Sequence, residues 1–161
     1  EDLGYAPSCF NLGRMMLAGK GTDPDTTGAV PLFRRACEKG HVQGCHHLAL
    51  MEFYGWGQPK NVPAAMTRFE EACRHGDPES CYMVGTHLLR PENTKRDPAK
   101  AVRLLEAPCE RGHAPSCFNL AVLFKHGDTG VKSDMERHAR FKERTEALVK
   151  SGMSLSPTKA S

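Results

Sequence analysis

Along most of this chain the apolar residues return every three or four positions, not every two. Cys9, Leu12, Gly13, Met16 and Leu17 form one such stripe, which predicts an amphipathic helix, with the small Gly13 placed where a second helix must come close. We term it helix A. A second stripe, Ala29, Phe33 and Ala36, predicts helix B, and it returns as Ala65, Phe69 and Ala72 and again as Ala101 and Leu105. The segments between the stripes carry turn chemistry: Gly19-Lys20-Gly21, Gly55-Trp56-Gly57, Pro91-Glu92-Asn93 and Gly127-Asp128-Thr129-Gly130. Arg96-Asp97-Pro98 suits a helix start, because aspartate caps and proline is tolerated in the first turn. No stretch alternates apolar and polar residues with β-branched enrichment, so strands are not needed. The expected fold is all-α, a solenoid of stacked helical hairpins.

The pattern also repeats on a fixed ruler. Cys37–Cys45, Cys73–Cys81 and Cys109–Cys117 share one internal spacing, and each pair starts 36 residues after the last. Cutting at the first cysteine gives four blocks, 1–36, 37–72, 73–108 and 109–144, that align without insertion or deletion. Gly4, Gly40, Gly76 and Gly112 occupy one column, Phe10, His46, Tyr82 and Phe118 another, and Leu12, Leu48, Val84 and Leu120 a third. The small residues Gly13, Ala49, Gly85 and Ala121 follow in the next. Cys9 falls in the column of second cysteines, but its partner position is Glu1, so one pair is broken.

Spacing limits what the cysteines can do. Within one continuous helix the ends of C-x7-C would lie about 12 Å apart along the axis, well beyond the Cα separation of about 4.4 to 6.8 Å that a disulfide tolerates. A turn must intervene, and the glycine column supplies it. The bridges then join the end of helix B in one repeat to the start of helix A in the next. Bridging between equivalent cysteines of neighbouring repeats is disfavoured, because stacked helices sit about 8 to 10 Å apart. No C-x-x-C or comparably close ligand pair suggests zinc or thioredoxin-like chemistry, and regular disulfides place the protein in an oxidising compartment.

Block four breaks the pattern. Arg137 stands where the other B helices have alanine, the block ends at Arg144, and Thr145 takes the place of a further first cysteine. The segment from Ser133 to Lys150 reads as a capping helix with a solvated outer face. The domain expected is thus a single repeat array over 1–150, followed by a flexible tail over 151–161.

Composition excludes several classes. No stretch approaches the roughly 18 to 20 apolar residues that span a bilayer. The net charge of +3 comes from acids and bases mixed along the chain, without the basic stripe that nucleic-acid binding requires. A first residue of glutamate suggests that the numbering begins after processing, truncation or a disordered stretch, so that any address signal would already be gone.

The sequence Leu12-Gly13 through Gly19 and Gly21, in a hairpin of 36 residues, resembles the Sel1-like repeat, a relative of the tetratricopeptide repeat. The C-x7-C in each repeat, with Ser8-Cys9-Phe10-Asn11-Leu12 and Ser116-Cys117-Phe118-Asn119-Leu120, is similar to two groups of Sel1-repeat proteins. These are the cytochrome c oxidase assembly factors of the mitochondrial intermembrane space and the secreted cysteine-rich proteins of Helicobacter. The resemblance implies a disulfide-stapled scaffold that works through protein contacts, with a respiratory-chain complex as the expected partner. The alternative it implies is a secreted or periplasmic protein with an extracellular or periplasmic partner.

Catalysis finds little support. Nucleophilic chemistry needs a nucleophile beside an oriented base, and Cys9 is the one candidate thiol. Cys45-His46-His47 invites a metal or haem reading, one that would extend to a hydrolytic or haem-handling protein. A bridged Cys45 cannot also be a thiolate ligand, however, and His46 sits in a column of aromatics. His41 and His113 read as turn or cap residues. No cofactor or metal is expected. In repeats of this type the A helices line the concave face, which assigns Asn11, Arg14, Met15, His47, Leu50, Met51, Tyr54, Met83, His87, Asn119, Val122 and Leu123 to a contact surface, with Trp56 alongside. Met and aromatic residues are enriched in interfaces.

Overall fold

The computed structural model describes residues 5–19 and 23–155. Glu1, Gly4, Lys20, Gly21 and the last six residues of the expected tail lie outside the described residues. Among those described there are eight helices and no strand, with an isolated antiparallel bridge between Asp128 and Val131. The helices are α1 (Tyr5–Ala18), α2 (Thr26–Glu38), α3 (Val42–Tyr54), α4 (Val62–Arg74), α5 (Pro78–Leu89), α6 (Pro98–Glu110), α7 (Ala114–His126) and α8 (Met135–Lys150). They fall into two compact units that divide between Asp77 and Pro78, so α1 to α4 form the first and α5 to α8 the second.

The ruler appears in the caps. Asp25, Asn61 and Asp97, 36 residues apart, start α2, α4 and α6, each accepting a hydrogen bond from the backbone N–H three residues on. Such caps satisfy donors that the first helical turn leaves unpaired. At the other end of these helices, Gly40, Gly76 and Gly112 adopt positive φ. The amide after each glycine donates to the carbonyl five residues back, as His41 to Ala36, Asp77 to Ala72 and His113 to Pro108. That is the left-handed closure glycine permits. It turns the chain through three residues from B into the next A.

The turn brings the cysteines together. Cys37 at the end of α2 bridges Cys45 in α3 with a Cα separation of 4.4 Å, and Cys109 in α6 bridges Cys117 in α7 at 4.8 Å. Cys73 and Cys81, the third pair on the same spacing, are disulfide-bonded as well.

Packing within the first and third hairpins sets a large residue of helix B against a glycine of helix A. A Cβ built on Gly13 would lie 3.0 Å from the Phe33 ring, and one on Gly85 would lie 2.9 Å from Leu105. Ala29, Phe33, Ala36, Ala65, Phe69, Ala72, Ala101 and Leu105 are all at most 2% exposed, so the predicted B stripe lies in the core.

The A stripe needs one correction. Leu48, Val84 and Leu120 are buried, but Leu12 in the same column is 49% exposed. Leu48 packs with Ala29, Val30 and Phe33 of α2, the helix before its own, whereas α1 is the first helix described. Helical periodicity assigns a face but not the neighbour that covers it.

Helix α8 is one continuous helix of 16 residues that runs past Arg144. Leu148 occupies the column of Gly40, Gly76 and Gly112, so nothing turns the chain there. The same closure comes four residues later, at Gly152, with Met153 N–H donating to Leu148 O. Thr145 replaces the cysteine and donates its hydroxyl to Phe141 O, and Arg144 donates to the Cys109 and Glu110 carbonyls at the end of α6. Most of the outer face is exposed, with Phe141 and Thr145 buried.

Candidate functional site

The side chains expected on one contact surface are sorted by the fold into three environments. Leu50, Met51 and Leu123 are core, at 6%, 1% and 7% exposure, which removes them from any surface. Helix α3 buries nine of its thirteen residues, so its apparent contact face is interior. His47 lies flat against Phe33, with ring centroids 5.1 Å apart, and its Nδ1 meets Gln43 O at 2.9 Å. Burial depresses its pKa to about 4, further lowered by His46 and Arg14 and only partly opposed by the Gln43 hydrogen bond and Asp77. Met83 and His87 are half-buried; burial and the Arg90 charge lower the His87 pKa.

Met15, Tyr54, Trp56 and Val122 remain at the surface. Tyr54 stacks on Trp56 with centroids 4.7 Å apart. The loop carrying Trp56 is held against the start of α2, where a Cβ on Gly57 would lie 2.4 Å from Thr26 O. Gly55 closes α3 in the left-handed conformation.

The histidines singled out for a ligand role act in the architecture. His46 is buried, with Nδ1 3.1 Å from Asp77 Oδ2, and Asp77 Oδ1 accepts from Gln43 Nε2. One repeat on, Glu79 stands in the column of Gln43 and meets His113 Nε2 at 3.1 Å. His113 Nδ1 also lies 2.8 Å from Ser116 Oγ. His41 caps α3 by accepting from Gly44 N–H. Among the described residues no group of three or more His, Cys, Asp or Glu could hold a metal ion. Cys9 is a free thiol buried in α1. Sequence reasoning missed the buried Glu52, which is held by Arg68 Nε of α4 at 2.9 and 3.0 Å.

It also missed a groove in the second unit. Between α7 and α8 lies an open apolar groove of about 560 Å³, lined by Phe118, Ala121 and Val122 of α7, Thr145 and Val149 of α8, and Leu155 beyond it. Lys125, Lys142 and Lys150 lie along it with Glu146, and His138 Nδ1 donates to Ala121 O across its base. Only Val122 was in the expected surface. The signal for the rest was the loss of glycine at Leu148, which lengthens α8 along the groove.

The model of the Sel1 repeat matches residues 6–41, 42–77, 78–113 and 114–141, keeping the 36-residue period but starting each repeat at helix A. The chain belongs to the Sel1 repeat family. Its structure is similar to that of a protective antigen from uropathogenic Escherichia coli with an SLR fold, at 23% identity and a TM-score of 0.84 over 91% of this chain and 31% of that one. It is also similar to a Sel1 repeat protein from Oxalobacter formigenes, at 20% identity and a TM-score of 0.82 over 89% of this chain and 58% of that one. The chain therefore spans less than two thirds of either structure. No curated protein sequence matches it significantly. Sel1 repeats mediate protein–protein interaction, and proteins built from them are generally non-enzymatic scaffolds. Three disulfides point to an oxidising compartment, and none of the described helices is long and apolar enough to cross a membrane.

Proposed function

We propose that this chain is a non-enzymatic interaction scaffold of the mitochondrial intermembrane space, an assembly factor or accessory subunit of a respiratory-chain complex, with cytochrome c oxidase the foremost candidate. The observation that carries the scaffold reading is the bridge across the turn from helix B to the next helix A. A repeat that contacts only its neighbours has a slender core, and the staples hold the hairpins in register without asking more of it. The three disulfides support an oxidising compartment, and the choice of the intermembrane space and of a respiratory-chain partner rests on the resemblance of the C-x7-C repeats to the assembly factors. Met15, Tyr54, Trp56, Met83, His87 and Val122 remain proposed contact residues.

Cell fractionation of the source organism, followed by affinity purification under non-reducing conditions, tests this reading. Recovery from the intermembrane space with respiratory-chain subunits is expected. Recovery from the medium or the periplasm would favour the secreted alternative, and a free monomer would count against both.

A further inference from the structure

We propose that the groove between α7 and α8 receives an amphipathic helical segment of a partner protein that sets acidic residues beside its apolar face. This rests on the scaffold reading and names the chemistry of one of its contacts.

A repeating contact shows what belongs in the groove. The residue in the column of Phe10, His46, Tyr82 and Phe118 meets the residue 31 positions on. Phe10 packs on His41 with centroids 4.6 Å apart, His46 pairs with Asp77, and Tyr82 packs on His113 at 4.9 Å. The residues met, at 41, 77 and 113, each immediately precede the next A helix. In the first unit that next helix contributes directly, since His47 of α3 sits edge-on to Phe10 at 5.1 Å.

The fourth member of the series is Phe118, and the position 31 on is Val149, in the extra turn of α8. Both line the groove, and they are 48% and 42% exposed. Val122 and Leu155 beside them are 42% and 45% exposed. An aromatic that an A helix helps to cover at Phe10 is therefore bare at Phe118, beside a wall built by the helix extension. The shape that fits is a further helix laid along α7.

Charge selects which helix. Lys125 comes from the α7 side, and Lys142 and Lys150 come from α8, against the single acid Glu146. A partner helix with glutamates or aspartates flanking an apolar stripe would meet this rim favourably, and a basic one would be repelled. A second copy docking through its exposed α1 fits less well, because Arg14 is the sole charged residue of Tyr5–Ala18. Residues 156–161 of the chain itself carry one lysine and no acid.

The test uses the whole oxidised chain and two synthetic peptides of fourteen residues, the length of α1. Both carry leucines at i, i+3, i+4 and i+7; one has glutamates on its flanks and the other lysines. Fluorescence anisotropy should show saturable binding of the acidic peptide, weakening as salt is raised, with the basic peptide at least about tenfold weaker. Val122→Asp with Val149→Asp should weaken the acidic peptide about tenfold or more. Lys142→Glu with Lys150→Glu should reverse the preference between peptides. These side chains are exposed, and circular dichroism checks that each variant stays folded. Equal binding of the two peptides, no binding of either, or indifference to both pairs of substitutions would overturn the proposal. So would sedimentation showing a dimer that either pair abolishes, which would make the occupant a second copy. Capture of the same cellular partner by wild type and by both pairs of variants would remove the groove while leaving the scaffold reading intact. Failure of every form to capture a partner would remove that reading instead.

Discussion

His47 is held neutral by its surroundings. It is packed on Phe33 and half enclosed by Phe10 and His46, and desolvation brings its pKa from 6.5 down to about 4. Below about pH 6.5 the unfolded chain takes up a proton at His47 that the folded chain refuses until about pH 4. Its contribution to stability is therefore complete above about pH 6.5 and is lost as the pH falls through that window, by about 3 kcal/mol in all. Denaturant titrations of wild type and His47→Phe should show this directly. The variant keeps a ring on Phe33 without a titrating group, so its stability should fall less steeply between about pH 6.5 and about pH 4. Parallel curves would contradict the assignment. None of this was visible in the sequence, where His47 is one of eight histidines and its burial depends on rings from α1 and α2.

At the scale of elements, the helices follow from residues that repeat: the Asp25, Asn61 and Asp97 caps, the glycines that close the B helices, and the B stripe. Their burial was legible because Ala29, Phe33 and Ala36 face a partner helix within their own hairpin. Leu12 and Met51 were misjudged for the converse reason, since the cover on this side of an A helix comes from the preceding B helix, as Leu48 and Met51 show against α2; Leu50 and Leu123 were misjudged as well, both being buried. The extra turn of α8 could have been anticipated from Leu148 in the glycine column; the groove it walls needed the structure. The bridges make a measurable prediction. Each closes a loop of nine residues, so replacing Cys37 and Cys45 together by serine should cost about 2.5 kcal/mol in denaturant unfolding, with the helical circular dichroism retained at low denaturant. A loss close to zero would mean that the turn at Gly40 holds the hairpins without its staple.

Across the whole molecule, local disulfides staple a Sel1-repeat array, and on the function proposed above that array holds a protein partner. Regular columns explain how the chain is built, and departures from them, at Thr145 and Leu148, shape the surface offered to others. The most direct measurement is the native size of the protein in a non-reducing extract of its source, compared before and after reduction. The oxidised protein should run as a complex with a distinct partner, and that complex should dissociate once the bridges are reduced. A free monomer in the oxidised extract, or a complex indifferent to reduction, would contradict the proposed function.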